Sequence, residues 1–260
     1  MIQGTLLCTV RDCRSPLTPG EGVLRCGRGH HFDIARSGYV NLLQPQDKRS
    51  KQPGDSAHAV EARRRLHEGG YSAPLREAIA AMLAAGPADR VLDAGCGEGF
   101  YLGSLESGTG FEAHGVDLSV PAIQSAAKRY PGCTWVVANA DRFLPYPDGY
   151  FTRVMTITAR SHPAEFRRVL APGGRLLVAV PSPEDLMELR GQGKDRTARV
   201  LEEFGERFRL IGQERATTSA DLDEQAVEDV LHTIYRPLRR QALGAMRVTF
   251  SLDLLVFEAV

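Results

Sequence analysis

Apolar residues fall along this chain in two regimes. From residue 90 onward, short and nearly continuous apolar runs recur: Arg90–Ala94, Glu112–Asp117, Thr134–Ala138, Phe151–Thr158 and Arg175–Val180. Runs of this length, bounded by Gly, Pro and Asp, predict buried strands. Between them, Val120–Tyr130 has helical spacing with Ser119 as its N-cap, and residues 163–170 form a shorter helix ended by Pro172-Gly-Gly174. Further on, Gln213–Ser219 predicts a sixth strand, Glu224–Tyr235 a helix and Val248–Glu258 a long final strand, while 181–210 shows no clear period. Strands alternating with helices argue for an α/β fold, a mainly parallel, doubly wound sheet with helices on both faces.

The first part of the chain has no such rhythm. Thr5–Val10 and Gly22–Arg25 predict short strands separated by the turn material SPLTPGEG, with Phe32–Ile34 and Gly38–Leu43 as a brief second element. Residues 44–56 are polar, contain two prolines and predict a linker; Ala57–Leu66 and Ser72–Ala85 predict helices. The expected organisation is therefore a small module over 1–45, linker and helices over 46–84, and the α/β domain over 85–260.

Composition narrows the class. With 260 residues, 43% hydrophobic and 25% charged, the chain has the balance of a soluble globular protein with a sizeable core. Its formal net charge is zero, so no polyanion is attracted to the molecule as a whole. Residues 1–70, however, hold 11 Lys and Arg against 7 Asp and Glu, together with four of the seven histidines, which hints at an anion-facing N-terminal part. No apolar run approaches the ~18–20 residues that span a bilayer, and the start lacks the basic and apolar regions of a signal peptide. Five cysteines make a poor disulfide framework, so a cytoplasmic, reducing location is expected.

The loop after the first strand of the α/β part reads Asp93-Ala-Gly95-Cys-Gly97-Glu98-Gly99. Alternate glycines let backbone approach a ligand at the carboxyl end of a strand. The spacing G-x-G-x-G, preceded by an aspartate, suits a ligand carrying positive charge better than a pyrophosphate. Asp117 ends the second strand, where a carboxylate accepts both hydroxyls of a ribose. A ribose joined to a cationic amino-acid end describes S-adenosylmethionine. The loop, Asp117, Asn139-Ala140-Asp141 and the Leu170-Ala-Pro-Gly-Gly174 turn resemble the class I (Rossmann-like) S-adenosylmethionine-dependent methyltransferases over about residues 85–260. The resemblance implies that Asp93 and Gly95, Gly97 and Gly99 border the methionine end. It also puts Asp117, with Leu118 beside it, at the ribose, and Asn139, Ala140 and Asp141 at the adenine.

Upstream, Cys8, Cys13, Cys26 and His30 supply three thiolates and an imidazole, a donor set for tetrahedral structural Zn2+. His31 is a competing ligand. A module of some 45 residues buries little apolar surface, so metal would add the missing stability, and a closed four-ligand site leaves no position for catalytic water. The stretch His30-His31-Phe32-Asp33 through Gly38-Tyr39-Val40-Asn41-Leu42-Leu43, followed by Lys48-Arg49-Ser50 and Pro53-Gly54-Asp55-Ser56, is similar to the 23S rRNA guanine-N1-methyltransferase (RlmA-type) family. Some of its members confer macrolide antibiotic resistance. That resemblance runs over nearly the whole chain. It implies a zinc ribbon that helps recognise a large-subunit rRNA hairpin, and it puts Tyr71, Gly97, Glu98 and Asp185 at the cofactor, Asp185 standing where the family usually has histidine. It leaves room for a homodimer and requires no membrane.

Arg36, Lys48, Arg49, Lys51 and Arg63–Arg65 are then candidates to neutralise phosphates, and Phe32 and Tyr39 either stack on bases or form ribbon core. Two departures from the family pattern stand out. The first knuckle is Cys8-x4-Cys13 where C-P-x-C is usual. The segment after strand four reads Met155-Thr-Ile-Thr-Ala-Arg160-Ser-His162-Pro163, without the family's A-P or S-P dipeptide. Arg160 and His162 are the catalytic candidates there: one polarises guanine O6, the other accepts a proton. The rival readings are a methyltransferase for a small molecule and a non-catalytic RNA-binding relative.

Overall fold

The computed structural model describes residues 5–47, 53–234 and 244–260. Its strands are β1 (Leu17–Gly20), β2 (Val23–Cys26), β3 (His31–Asp33), β4 (Val40–Asn41), β5 (Arg90–Ala94), β6 (Glu112–Asp117), β7 (Thr134–Val137), β8 (Phe151–Ile157), β9 (Leu170–Pro181), β10 (Phe208–Leu222) and β11 (Met246–Ala259). The helices are α1 (Ala57–Glu68), α2 (Ala73–Leu83), α3 (Phe100–Thr109), α4 (Val120–Arg129), α5 (Pro163–Val169), α6 (Met187–Arg190), α7 (Thr197–Phe204) and α8 (Glu224–Thr233). Strands β1, β2 and β3 form a small antiparallel sheet, and the rest make an eight-stranded sheet in the order β10-β11-β9-β8-β5-β6-β7-β4.

Pairings from β4 across to β9 are parallel, and β11 then runs antiparallel to both β9 and β10. The inner strands are buried because side chains cover both faces, which is why they read as unbroken apolar runs. One buried cluster lies on each face. Val91, Ile123, Trp135 and Leu254 belong to one, and Leu92, Val136, Phe151 and Leu255 to the other.

The second cluster also contains Leu6, Leu17, Leu24, Phe32 and Leu42 from the ribbon. A unit this small cannot close a core of its own, so it borrows the face of the sheet. Its last strand goes further: Val40 and Asn41 pair in parallel with Val136 and Val137, making β4 an edge of the main sheet. Phe32 is accordingly core, with 8% exposure.

Four sequence expectations need correction. Thr5–Val10 is not a strand; Leu7 makes an isolated bridge to Pro16, and the strand is Leu17–Gly20, within the stretch read as a turn. The chain must bend between Cys8 and Cys13, where Cys13 N–H donates to Val10 O, and this ends any extended run. Pro19 is tolerated because β1 is an edge strand. Helix α3 was not foreseen, since Gly103 and Gly108 mask it. Gly103 is there for space: a Cβ would lie 2.2 Å from the Tyr130 ring. The unperiodic 181–210 holds the short helices α6 and α7. Strand β10 extends well beyond Gln213–Ser219, since it pairs along nearly all of β11. The predicted helix end at Tyr235 and the cations Lys48, Arg49 and Lys51 lie outside the described residues.

Candidate active site and metal centre

Cys8, Cys13, Cys26 and His30 come from two bends of the ribbon, and their ligand atoms all lie within 4.8 Å of one another. Cys8 Sγ is 3.5 Å and Cys26 Sγ 3.4 Å from His30 Nδ1, while Cys13 and Cys26 Sγ are 3.8 Å apart. A tetrahedral ZnS3N site has edges of about 3.8 Å between sulfurs and about 3.6 Å from sulfur to nitrogen. The donor set fits zinc in both chemistry and spacing. The three sulfurs are buried, and burial, with Cys13 and Cys26 close by, pushes the Cys8 thiol up to about 12. Ionising all three thiols together therefore calls for a cation. His31 points out from β3 and is exposed.

The second site opens at the carboxyl ends of β5, β6 and β7, where parallel sheets bind ligands. Gly95 has a φ of +87°, and a Cβ there would stand 2.3 Å from the Ala159 side chain, so only glycine lets the loop pass the end of β8. Asp117 closes β6. Its Oδ2 accepts from Gly97 N at 2.9 Å and its Oδ1 from Ser119 N at 2.7 Å, which fixes the carboxylate and leaves one lone pair on each oxygen.

Asp93 is 2% and Glu98 3% exposed. Asp93 Oδ1 and Glu98 Oε1 accept no hydrogen bond among the described residues. Burial, with Asp117 and Glu98 nearby, pushes the Asp93 carboxyl well above the usual range; burial also raises Asp117 and Glu98. Orphaned buried carboxylates around a glycine loop are costly unless a cationic ligand meets them. The chemistry of the cleft thus fits a ligand carrying positive charge, as the methionine end of S-adenosylmethionine does.

In the loop after β7, Asn139 Oδ1 accepts from Asp141 N at 3.1 Å and its Nδ2 donates to Asp47 O at 3.2 Å. Arg142 pairs with the Asp47 carboxylate. The turn that leaves the ribbon is therefore clamped to the loop after β7. Leu118 packs on the sheet core, and Ala140 lies half-buried. Tyr71 is partly buried and packs against the apolar cluster that includes Leu66, Leu222 and Val227. Asp185 Oδ1 accepts from Ser251 N at 3.0 Å, and its other oxygen pairs with Arg190, so its carboxylate already holds β11 and α6 together.

Arg160 is well exposed, with Nη1 3.6 Å from Asp141 Oδ2. His162 caps α5, its Nδ1 accepting from Glu165 N at 3.4 Å. Thr158, just before them, holds a left-handed φ of 52°, unusual for a β-branched residue.

The arginine run on α1 is redistributed by the fold. Arg64 pairs with Glu61 and Glu68, and Arg65 makes a two-pronged contact with the buried Asp229 of α8. Arg63 turns into the cofactor cleft, 2.6 Å from Asp55 Oδ2. His67, also unforeseen, stacks on Phe100 with ring centroids 3.9 Å apart and lies 3.3 Å from Glu98 Oε1. Burial and the Arg63 charge lower it to about 3, so it is a neutral imidazole.

Comparison with known proteins agrees with this geometry. The family description "RlmA, N-terminal" matches residues 7–51, and "Methyltransferase domain" matches 91–174. The structure of a TehB-like S-adenosylmethionine-dependent methyltransferase from Corynebacterium glutamicum superposes with a TM-score of 0.51 at 20% identity, covering 78% of this chain and 99% of that one. Sheet order and cleft together define a class I S-adenosylmethionine-dependent methyltransferase fold. The 23S rRNA (guanine(748)-N(1))-methyltransferase of Streptomyces fradiae is 36% identical over 230 residues, which is 84% of this chain and 81% of that protein. The chain belongs to the 23S rRNA guanine-N1-methyltransferase family. A malonyl-[acyl-carrier protein] O-methyltransferase of Halorhodospira halophila also matches at 36% identity, but over 39% of this chain and 38% of that protein.

Proposed function

We propose that this protein methylates N1 of a guanine in an unpaired loop of 23S rRNA. One observation carries the reading: ribbon and cofactor cleft are parts of one body, joined by β4 on β7 and by Asp47 on Asn139 and Arg142. A small acceptor would have no need of the ribbon's outer face. Where that face meets α4 there is an open cavity of about 440 Å³ lined by Ala35, Arg36, Ser37, Tyr39, Gln124 and Lys128. Arg36 and Lys128 are exposed and have no ion-pair partner among the described residues. Two free cations beside an aromatic ring suit a phosphate and a stacked, unpaired base.

The cofactor supplies an electrophilic sulfonium methyl when bound. The residues' tasks are to align the flipped guanine and to favour loss of its N1 proton to solvent water as N1 takes up the methyl. We assign Arg160 to O6, where a guanidinium stabilises the anion left by that loss. Nδ1 of His162 accepts from the helix cap, which leaves Nε2–H as the ring's donor. In this tautomer it donates to O6 and does not accept the N1 proton.

Filter binding of an unmodified 23S rRNA hairpin across a salt series tests the acceptor assignment. Affinity should fall steeply with salt. Arg36→Ala combined with Lys128→Ala should reduce the log–log slope by about 1–2 with S-adenosylmethionine affinity unchanged. Salt-insensitive methylation of a small acceptor, without hairpin binding, would replace this reading.

A further inference from the structure

The floor of the cofactor cleft is acidic, yet the ligand it fits is not purely cationic. S-adenosylmethionine carries a sulfonium and an ammonium, but also a carboxylate. Asp93, Glu98 and Asp117 suit the first two and repel the third. Asp55 adds a fourth carboxylate at the rim.

Arg63 is the guanidinium that reaches this floor. A Cβ on Gly97 would stand 3.5 Å from its Nη1, so the side chain lies directly over the bare backbone of the glycine loop. Its charge is also felt by Glu98 and Asp117. Only Nη1 is engaged, by Asp55 at 2.6 Å; Nε and Nη2 have no hydrogen-bond partner among the described residues. The side chain keeps 27% of its surface exposed, enough to meet a ligand.

Its aim is fixed from the ribose side. Asp55 O accepts from Ser119 Oγ at 2.7 Å, and Gly54 sits so close that a Cβ would be 2.8 Å from Ser119 backbone nitrogen. The strap that orients Arg63 is thus anchored two residues beyond Asp117. Arg129, the other cation near this corner, is paired with Glu68 at 3.1 Å.

We propose that Arg63 receives the methionine carboxylate of S-adenosylmethionine, its free guanidinium edge making a charge-assisted contact over Gly97, and that Asp55 is its positioning residue. This makes Arg63 the determinant that separates amino-acid-bearing donors from adenosyl sulfonium compounds lacking the carboxylate. The proposal rests on the cofactor reading of the cleft.

Calorimetric titration of the zinc-loaded full chain with S-adenosylmethionine and with its decarboxylated form tests it. Wild type should bind S-adenosylmethionine on the order of 10- to 100-fold more tightly than the decarboxylated compound, as expected for a charge-assisted hydrogen bond. Arg63→Gln should lose about that factor for S-adenosylmethionine alone, binding the decarboxylated form as well as wild type or better. Arg63→Lys, which keeps the charge but not the fork, should give an intermediate ratio, and it decides the matter if the glutamine variant does not fold. Equal weakening toward both ligands, or a ratio unchanged in Arg63→Lys, would overturn the proposal by making Arg63 a neutraliser of the floor. Wild type that discriminates between the two ligands not at all would overturn it as well. Failure of wild type to bind either ligand would instead remove the cofactor reading beneath it.

Discussion

His67 shows how a single side chain responds to its surroundings in this cleft. It is stacked on Phe100, hydrogen-bonded at Nδ1 to Ser72 at 2.8 Å, and held neutral by burial. Its folded pKa of about 3 lies below the ordinary 6.5, so the unfolded chain takes up a proton first as pH falls. The stability it contributes is complete above pH 6.5 and is lost progressively as pH drops toward about 3. Asp93 and Glu98, whose carboxyls are raised, act in the opposite sense, so the comparison must be made against a variant. Urea unfolding of His67→Gln should show a shallower loss of stability across this window than wild type; equal slopes would contradict a neutral His67. Neither His67 nor the role of Arg63 was legible in the sequence. Successive helical residues point about 100° apart, so Arg63, Arg64 and Arg65, alike as letters, go to the cleft, to surface carboxylates and to Asp229. That Asp117 and the glycine loop stand at the ends of adjacent strands was legible, because their spacing is itself the geometry.

At the scale of elements, β5 to β9 could be read from apolar runs because both faces are covered. In the ribbon, β2, β3 and β4 fall where short strands were read, but β1 does not, since Pro16, Pro19 and Gly20 make it look like a turn; in α3 a glycine needed by Tyr130 weakens the helical signal. His162 illustrates the same ambiguity in a candidate site residue, since the structure shows it as a helix cap and the proposal gives it a second task. His162→Ala should cost about 1 kcal/mol of stability through loss of the cap, whereas His162→Asp should retain it. Methyl transfer by the aspartate variant then separates the roles. Reduced turnover with full stability supports a donor at O6, and unchanged turnover removes His162 from the chemistry.

For the whole molecule, the sequence suggested a ribbon and a catalytic domain joined by a linker, and the fold makes them more intimate than that. Ribbon side chains share a core with β5 and β8, and β4 completes the sheet. Metal loss should therefore be felt in the cleft. Chelation of zinc should lower the melting temperature and weaken S-adenosylmethionine binding several-fold, through release of Asp47 from Asn139 and Arg142; unchanged cofactor affinity in metal-free protein would contradict this coupling. The most direct test of the account is methyl transfer itself. The zinc-loaded protein, incubated with labelled S-adenosylmethionine and unmodified 23S rRNA, should place label in N1-methylguanosine on nuclease digestion. Primer extension should stop at one loop guanine, because an N1 methyl blocks pairing. Label absent from N1-methylguanosine, with no such stop, would contradict it.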